Sequence, residues 1–184
     1  MSADVGGIRL HGRMTEVSLR PWSESDLDLL RRANAPELME HLGGPETDTQ
    51  VLARHEKYLR GWRDGSSHMY AIVTPDHPAG VGTIGFWART DDGRVLFEVG
   101  WTVLAAFQGR GFARAALGLL LDEARTVDPS RPIAAYPRVG NAASNALCRG
   151  AGFVLEGVEE FEFPKGTRLP SNVWVLPAPG PGTA

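Results

Sequence analysis

Gln108-Gly109-Arg110-Gly111-Phe112-Ala113 is the stretch whose residue types and spacing point most directly to chemistry. An apolar run, Val99-Gly100-Trp101-Thr102-Val103, precedes it, and a helical stripe of Ala113, Ala116, Leu117, Leu120 and Ala124 follows. A strand thus feeds a glycine-rich turn, and the turn feeds a helix N-terminus. The first amides of a helix lack internal acceptors and carry partial positive charge, so such a terminus suits an anion, typically a phosphate. Gly109 and Gly111 carry no Cβ and let the backbone come close to a ligand. Arg110 adds charge at the mouth of the turn. A P-loop would end in Gly-Lys-Ser/Thr, and a dinucleotide fingerprint would need a third glycine where Arg114 stands. Both are missing. Two glycines by themselves suit a phosphate site and a purely structural turn equally well.

The elements around this turn can be read from period and punctuation. Glu16 to Arg20 alternates as a first strand. Ser23 and Asp26 form a capping box for a helix ending near Ala33, with Trp22 stapled onto Leu27, and Pro36 opens a short turn. Thr47 and Gln50 cap a second helix with Val51, Leu52, His55, Tyr58, Leu59 and Trp62 on one stripe, ending at Gly65. His55 on that stripe reads as a core histidine before a catalytic one. Met69 to Thr74 is a strand, Pro75 to Gly80 a turn, and Val81 to Arg89 a strand. Asp91-Asp92-Gly93 marks a hairpin into Arg94 to Val103, with Gly100 expected at a bulge. A helix from Phe112 to Thr126, a strand Ile133 to Tyr136, a helix Ala142 to Arg149 and strands Phe153 to Phe163 and Asn172 to Leu176 complete the order. Residues 14–176 form one domain. Residues 1–13 read as a loose arm, and the Pro/Gly-rich residues 177–184 as a disordered tail.

Composition narrows the function classes. The 184 residues suit one domain with a real core. A net charge of −3 provides no basic surplus for a nucleic-acid backbone and leans toward a cationic partner such as an amine. Cys148 is the one cysteine, so there is neither an internal disulfide nor a zinc cluster, and the five histidines show no paired ligand spacing. No metal is expected. The N-terminus lacks an apolar stretch of signal-peptide length, and no apolar helix is long enough to span a bilayer. The expected location is the cytoplasm, with no membrane partner.

The Gln108 to Ala113 stretch resembles the Gln/Arg-x-x-Gly-x-Gly/Ala signature of the GCN5-related N-acetyltransferases, the GNAT family. Asn141-Ala-Ala-Ser144 followed by Gly152-Phe153 resembles its second signature, an Asn opening a helix that closes on Gly-Phe. Leu19-Arg-Pro-Trp22 with Asp26-Leu27 is similar to the branch containing the ribosomal-protein alanine acetyltransferases. Together these cover roughly residues 15–176. The resemblance implies an α/β (α+β) fold: a mixed, mostly antiparallel sheet of six to seven strands, helices on both faces and a splayed central parallel pair. It implies acetyl-coenzyme A as cosubstrate and an amine as acceptor. Backbone groups of Trp101, Thr102 and Val103 would pair with the pantetheine amides. The amides of Gln108, Gly109, Arg110, Gly111, Phe112 and Ala113 would hold the pyrophosphate, with Asn141, Ser144 and Asn145 nearby.

For the proton transfers the resemblance points to Glu98, on the strand before the turn, as base. Phe97 and Val99 beside it are apolar, so Glu98 points either into a cleft, where burial raises its basicity, or to solvent. The family's acid is a Tyr seven residues after the helix-opening Asn, and here that position is Cys148. Its thiol is a candidate donor, at most a modest contributor, and a lone cysteine on a helix is more often a small buried hydrophobe. Trp22, Trp62, Trp87, Trp101 and Trp174 could line an acceptor pocket or simply fill the core. The leading expectation is an N-acetyltransferase acting by direct transfer on a protein or peptide N-terminus or a small amine. The alternative is a non-catalytic acyl-coenzyme A sensor, and nucleotide binding at the same turn is a third reading. Monomer and homodimer are both compatible with the sequence.

Overall fold

The computed structural model describes residues 9–10, 13–14, 16–91, 93–162, 166 and 168–179. Seven strands form one sheet: β1 (Ser18–Pro21), β2 (Ser67–Thr74), β3 (His77–Asp91), β4 (Arg94–Val103), β5 (Ile133–Ala135), β6 (Val154–Glu162) and β7 (Arg168–Leu176). Their spatial order is β1-β2-β3-β4-β5-β7-β6. Every neighbouring pair is antiparallel except β4 with β5. Five α-helices accompany the sheet: α1 (Leu27–Ala33), α2 (Pro36–Met39), α3 (Asp48–Asp64), α4 (Phe112–Val127) and α5 (Ala142–Gly150). Arg9–Leu10 and Arg13–Met14 form a separate two-residue antiparallel pair. The rest of the N-terminal arm and residues 180–184 of the tail lie outside the described residues, while residues 177–179 have no regular structure.

Side-chain alternation gives the sheet two apolar faces. Tyr70, Ile72, Phe97, Val99 and Val103 pack under Ala116, Leu117, Leu120 and Ala124 of α4. Leu117 and Leu120 are fully buried, which stabilises the fold by about 2 kcal/mol each. Met69 and Ala71 project to the opposite face, where Leu29 and Leu30 of α1 and Val51 of α3 cover them. Both expected capping boxes form. Asp26 accepts from the Ser23 amide at 2.8 Å, and Gln50 accepts from the Thr47 amide at 2.8 Å. Gly65 closes α3 at φ 72°, a left-handed turn that favours glycine. His55 is buried and accepts from Trp22 Nε1 at 3.1 Å, so its place is in the core. Leu52, read from the same stripe, is exposed.

Three local expectations change, the first being that β7 begins at Arg168 and not at Asn172. The turn before β3 is shorter than Pro75 to Gly80, because pairing already begins at Thr74↔His77. Gly100 marks no bulge: β3 and β4 stay in register from Asp91↔Arg94 to Gly82↔Val103. Gly100 is instead overlaid by the Trp87 indole, and a Cβ there would stand 3.0 Å from the ring edge. A glycine in a strand can signal close approach as well as irregular pairing.

The central feature is the short contact between β4 and β5. Only Phe97↔Ile133 and Glu98↔Ala134 pair in parallel. Past the Val99 N–H, which the Glu98↔Ala134 pairing engages, β4 continues to Val103 with no strand partner on that side among the described residues, and the two strands diverge as a fork.

Candidate active site

The open edge of β4 is one wall of the site. Phe97 donates its N–H toward β5, to Pro132 O at 2.9 Å. Strand alternation then turns the N–H and C=O groups of Val99, Trp101 and Val103 to the same edge. One is already engaged: Gln108 Nε2 donates to Val103 O at 3.0 Å. The Gln108 side chain therefore clamps the turn to the strand end. The Gln108 amide is also used, donating to Ala105 O at 3.3 Å. Gln108 and the Val103 carbonyl thus position the site, the Val99 N–H belongs to the pairing with β5, and an added chain would pair with the Val99 carbonyl, Trp101 and the Val103 amide. Thr102 projects its alternate groups toward β3.

The turn forms the second wall. Gly109 has φ 70° and Gly111 φ 82°, and a Cβ at either would meet nothing within 4 Å. Gly111 is the N-cap of α4 and offers no side chain to its amides. Among the described residues, no hydrogen bond is donated by the backbone N–H groups of Gly109, Arg110, Gly111, Phe112 or Ala113. Gly109, Arg110 and Gly111 are exposed. The result is a row of uncapped amides at the positive end of a 16-residue helix. The Arg110 guanidinium lies 5.7 Å from the Phe107 ring and 5.1 Å from the Phe112 ring, which fixes its charge beside the row.

Helix α5 closes the far side of the fork, and it divides the expected residues into two kinds. Asn141 Oδ1 accepts from the Ser144 amide at 3.0 Å and caps the helix, while the half-buried Asn141 and Ser144 side chains keep donors to spare. Asn145 has none left. Its Nδ2 donates to Arg138 O at 2.9 Å and Asn141 O at 2.8 Å, and its Oδ1 accepts from Asn172 Nδ2 at 2.7 Å and Trp174 Nε1 at 2.8 Å. Asn145 is therefore a buried tie between α5 and β7, not a ligand. Cys148 is wholly buried, and burial pushes its thiol up to about 12. Donation from such a thiol to a thiolate of ordinary basicity, near 8.5, runs uphill by roughly three powers of ten. Enclosure in the core disfavours Cys148 as a proton donor.

Glu98 stands where the fork begins, as the last β4 residue paired with β5. Alternation puts its side chain on the face opposite Phe97 and Val99, where it is 12% exposed. Its Oε2 accepts from Arg89 Nη1 at 3.0 Å. Burial pushes its carboxyl above the usual range, against the pull of Arg89, a hydrogen bond from Trp87 and the charge of Lys57 on α3. Arg89 in turn lies 4.8 Å from the Tyr136 ring and 4.7 Å from the Phe161 ring, which stack on each other at 4.8 Å. Tyr136 donates to Asp91 Oδ2 at 3.0 Å. The sequence reading missed Arg89, Tyr136 and Phe161. For Arg89 a signal was available: the hairpin register sets it opposite Leu96, diagonal to Glu98 on one face. Of the tryptophans, Trp22 and Trp174 are core residues, while Trp62, Trp87 and Trp101 are half-buried.

A forked parallel pair beside an uncapped helix N-terminus is the arrangement the two sequence signatures imply. The model of the acetyltransferase (GNAT) domain matches residues 16–154. The chain belongs to the GNAT acetyltransferase family. Solved structures of similar fold include a Salmonella typhimurium acetyltransferase that modifies the N-terminal serine of the 50S ribosomal subunit protein L7/L12. It is 22% identical with TM-score 0.71, over 87% of this chain and 94% of that one. Another is the spermidine N-acetyltransferase from Vibrio cholerae, solved with CoA and spermine, at 20% identity and TM-score 0.71, over 88% and 95% of the two chains. An acetyltransferase from Agrobacterium tumefaciens matches over 96% of both chains at 20% identity and TM-score 0.70. At these identities the likeness is one of fold. The fork and the glycine turn of this GNAT chain lie within the matched residues, and Cys148, seven residues after Asn141, is buried.

Proposed function

We propose that this GNAT enzyme transfers an acetyl group from acetyl-coenzyme A to a primary amine by direct attack, with Glu98 as base. The observation carrying this reading is the uncapped amide row of Gly109 to Ala113 next to the open edge of β4. Those amides and Arg110 suit a pyrophosphate, and the Val99 carbonyl, both Trp101 groups and the Val103 amide suit the amides of a pantetheine arm. Asn141 and Ser144 face the same ligand from α5. When bound, the coenzyme supplies the acyl group as an activated thioester. The similar Vibrio cholerae structure holds CoA, which supports the choice of ligand.

An ammonium acceptor gives one proton to solvent to expose its lone pair, and the nitrogen must lose a second as it becomes a neutral amide. Glu98 takes that proton, directly or through one water, as the nitrogen bonds to the acyl carbon. The carbon–sulfur bond then breaks, and the departing thiolate takes a proton from solvent, since Cys148 is buried away. The acceptor is proposed to be a peptide or protein α-amine, or a small amine. The acetyltransferases of similar fold act on a ribosomal protein N-terminus and on spermidine. Among the described residues no helix is long and apolar enough to cross a membrane, and the cytoplasm is the proposed location.

A thermal-shift titration with acetyl-coenzyme A, followed by thiol release across a panel of amines and peptide N-termini, tests this. Stabilisation by acetyl-coenzyme A above that by ATP or NAD, with thiol release on at least one acceptor, is the expected result. Tight coenzyme binding with no release on any acceptor would make the chain a binding module instead.

A further inference from the structure

We propose that Arg89 is a specificity-determining residue that turns the acceptor site toward singly charged, weakly basic amines and against polyamines. This rests on the reading of Glu98 as the base that meets the acceptor. A polyamine carries several positive charges, so a cation beside the carboxylate it approaches weakens its binding more than that of a singly charged amine, and Glu98 has such a cation. Arg89 Nη1 bonds its carboxylate at 3.0 Å. Lys57 of α3 adds a second positive charge within electrostatic reach. On the same side, Asp91 is engaged by Tyr136 at 3.0 Å, and Glu46 by Arg54 at 2.7 Å. Glu160 of β6 acts on Arg138. Glu98 thus faces two cations, Arg89 bonded to it and Lys57 at longer range.

Arg89 is also fixed in place. Its guanidinium packs against the faces of Tyr136 and Phe161, and its buried Nε has no hydrogen-bond partner among the described residues. Aromatic packing holds the group without using up the N–H that reaches Glu98. An incoming ammonium therefore gains little attraction from Glu98, and amines already neutral in part have the advantage. An α-amine, at about 7.7–8.0, is roughly one-third neutral at pH 7.5, whereas an alkylamine near 10.4 is neutral at about one part in a thousand. The neutral Glu98–Arg89 pair thus selects for α-amines.

The test uses the full chain, acetyl-coenzyme A and two acceptors, a dipeptide amide whose α-amine is its sole charge and the triamine spermidine. Wild-type enzyme should favour the dipeptide amide. Arg89→Gln should raise the triamine-to-dipeptide ratio of kcat/KM by about tenfold, chiefly through KM for the triamine, and make that KM rise with added salt. Arg89→Lys, which keeps the charge, should retain the wild-type ratio. A packing role alone would move neither the ratio nor its salt dependence. Should Arg89→Gln be unfolded at the assay temperature, Lys57→Gln on the exposed face of α3 carries the same test, with a smaller shift in the same direction. An unchanged ratio in both neutralising variants, or a wild-type preference for the triamine, overturns the proposal while leaving acetyl transfer in place. Absence of thiol release from wild type on every amine overturns the base assignment and this inference together.

Discussion

The carboxyl of Glu98 is pulled in two directions: burial favours its neutral form, and Arg89, Trp87 and Lys57 favour the charged one. Burial prevails, so the group holds a proton to higher pH than a free glutamate. A base works only when deprotonated. Activity should therefore be lost as pH falls through this raised value, with the acid limb of kcat/KM above the usual 4.3 or so of a glutamate. In Glu98→Gln the limb should vanish and kcat should fall by about two to four powers of ten, read as thiol release between pH 5 and 9. Cys148→Ala should behave differently. Its thiol is enclosed in the core, so turnover should stay within about tenfold of wild type, and the small cavity should lower stability by about 1 kcal/mol in denaturant titration. Loss of turnover with coenzyme binding intact would return Cys148 to the mechanism.

Helix α4 and the turn before it work as one element. The helix is rich in Ala and Leu, its stripe is buried, and its N-terminus is left without a capping side chain. In most helices Ser, Thr, Asp or Asn at that position would satisfy the first amides. Here Gly111 supplies the left-handed turn and leaves them open. Gly111→Val should cost about 1–2 kcal/mol through its φ of 82° and put a side chain over the amide row. The variant should still fold, shown by its circular dichroism, yet lose the thermal shift given by acetyl-coenzyme A. A full shift in the folded variant would move the coenzyme elsewhere.

At the scale of the molecule, distant segments meet around α5 and β7. Asn145 joins three chain segments, accepting from Asn172 and Trp174 and donating to carbonyls of the Arg138 to Asn141 loop. Asn145→Ala would leave several buried groups unpaired. It should lower stability by about 3 kcal/mol, roughly 6–12 °C in Tm, while the folded protein keeps coenzyme affinity within about tenfold. A large loss of affinity would make Asn145 a ligand after all. The sequence by itself determined the elements, because capping boxes, the α4 stripe and the glycine turn are interactions between residues a few positions apart. It determined the amide site for the same reason, since strand, turn and helix are contiguous from Val99 to Ala124. Only the tertiary structure decided which polar side chains are free to act. Asn145, Gln108 and Cys148 read as site residues by type and spacing, yet packing spends the first two on internal hydrogen bonds and encloses the third. Arg89 reached Glu98 through the register of a hairpin, and Tyr136 and Phe161 reached Arg89 through the order of strands in the sheet. Those are contacts across the fold, and short-range patterns do not encode them.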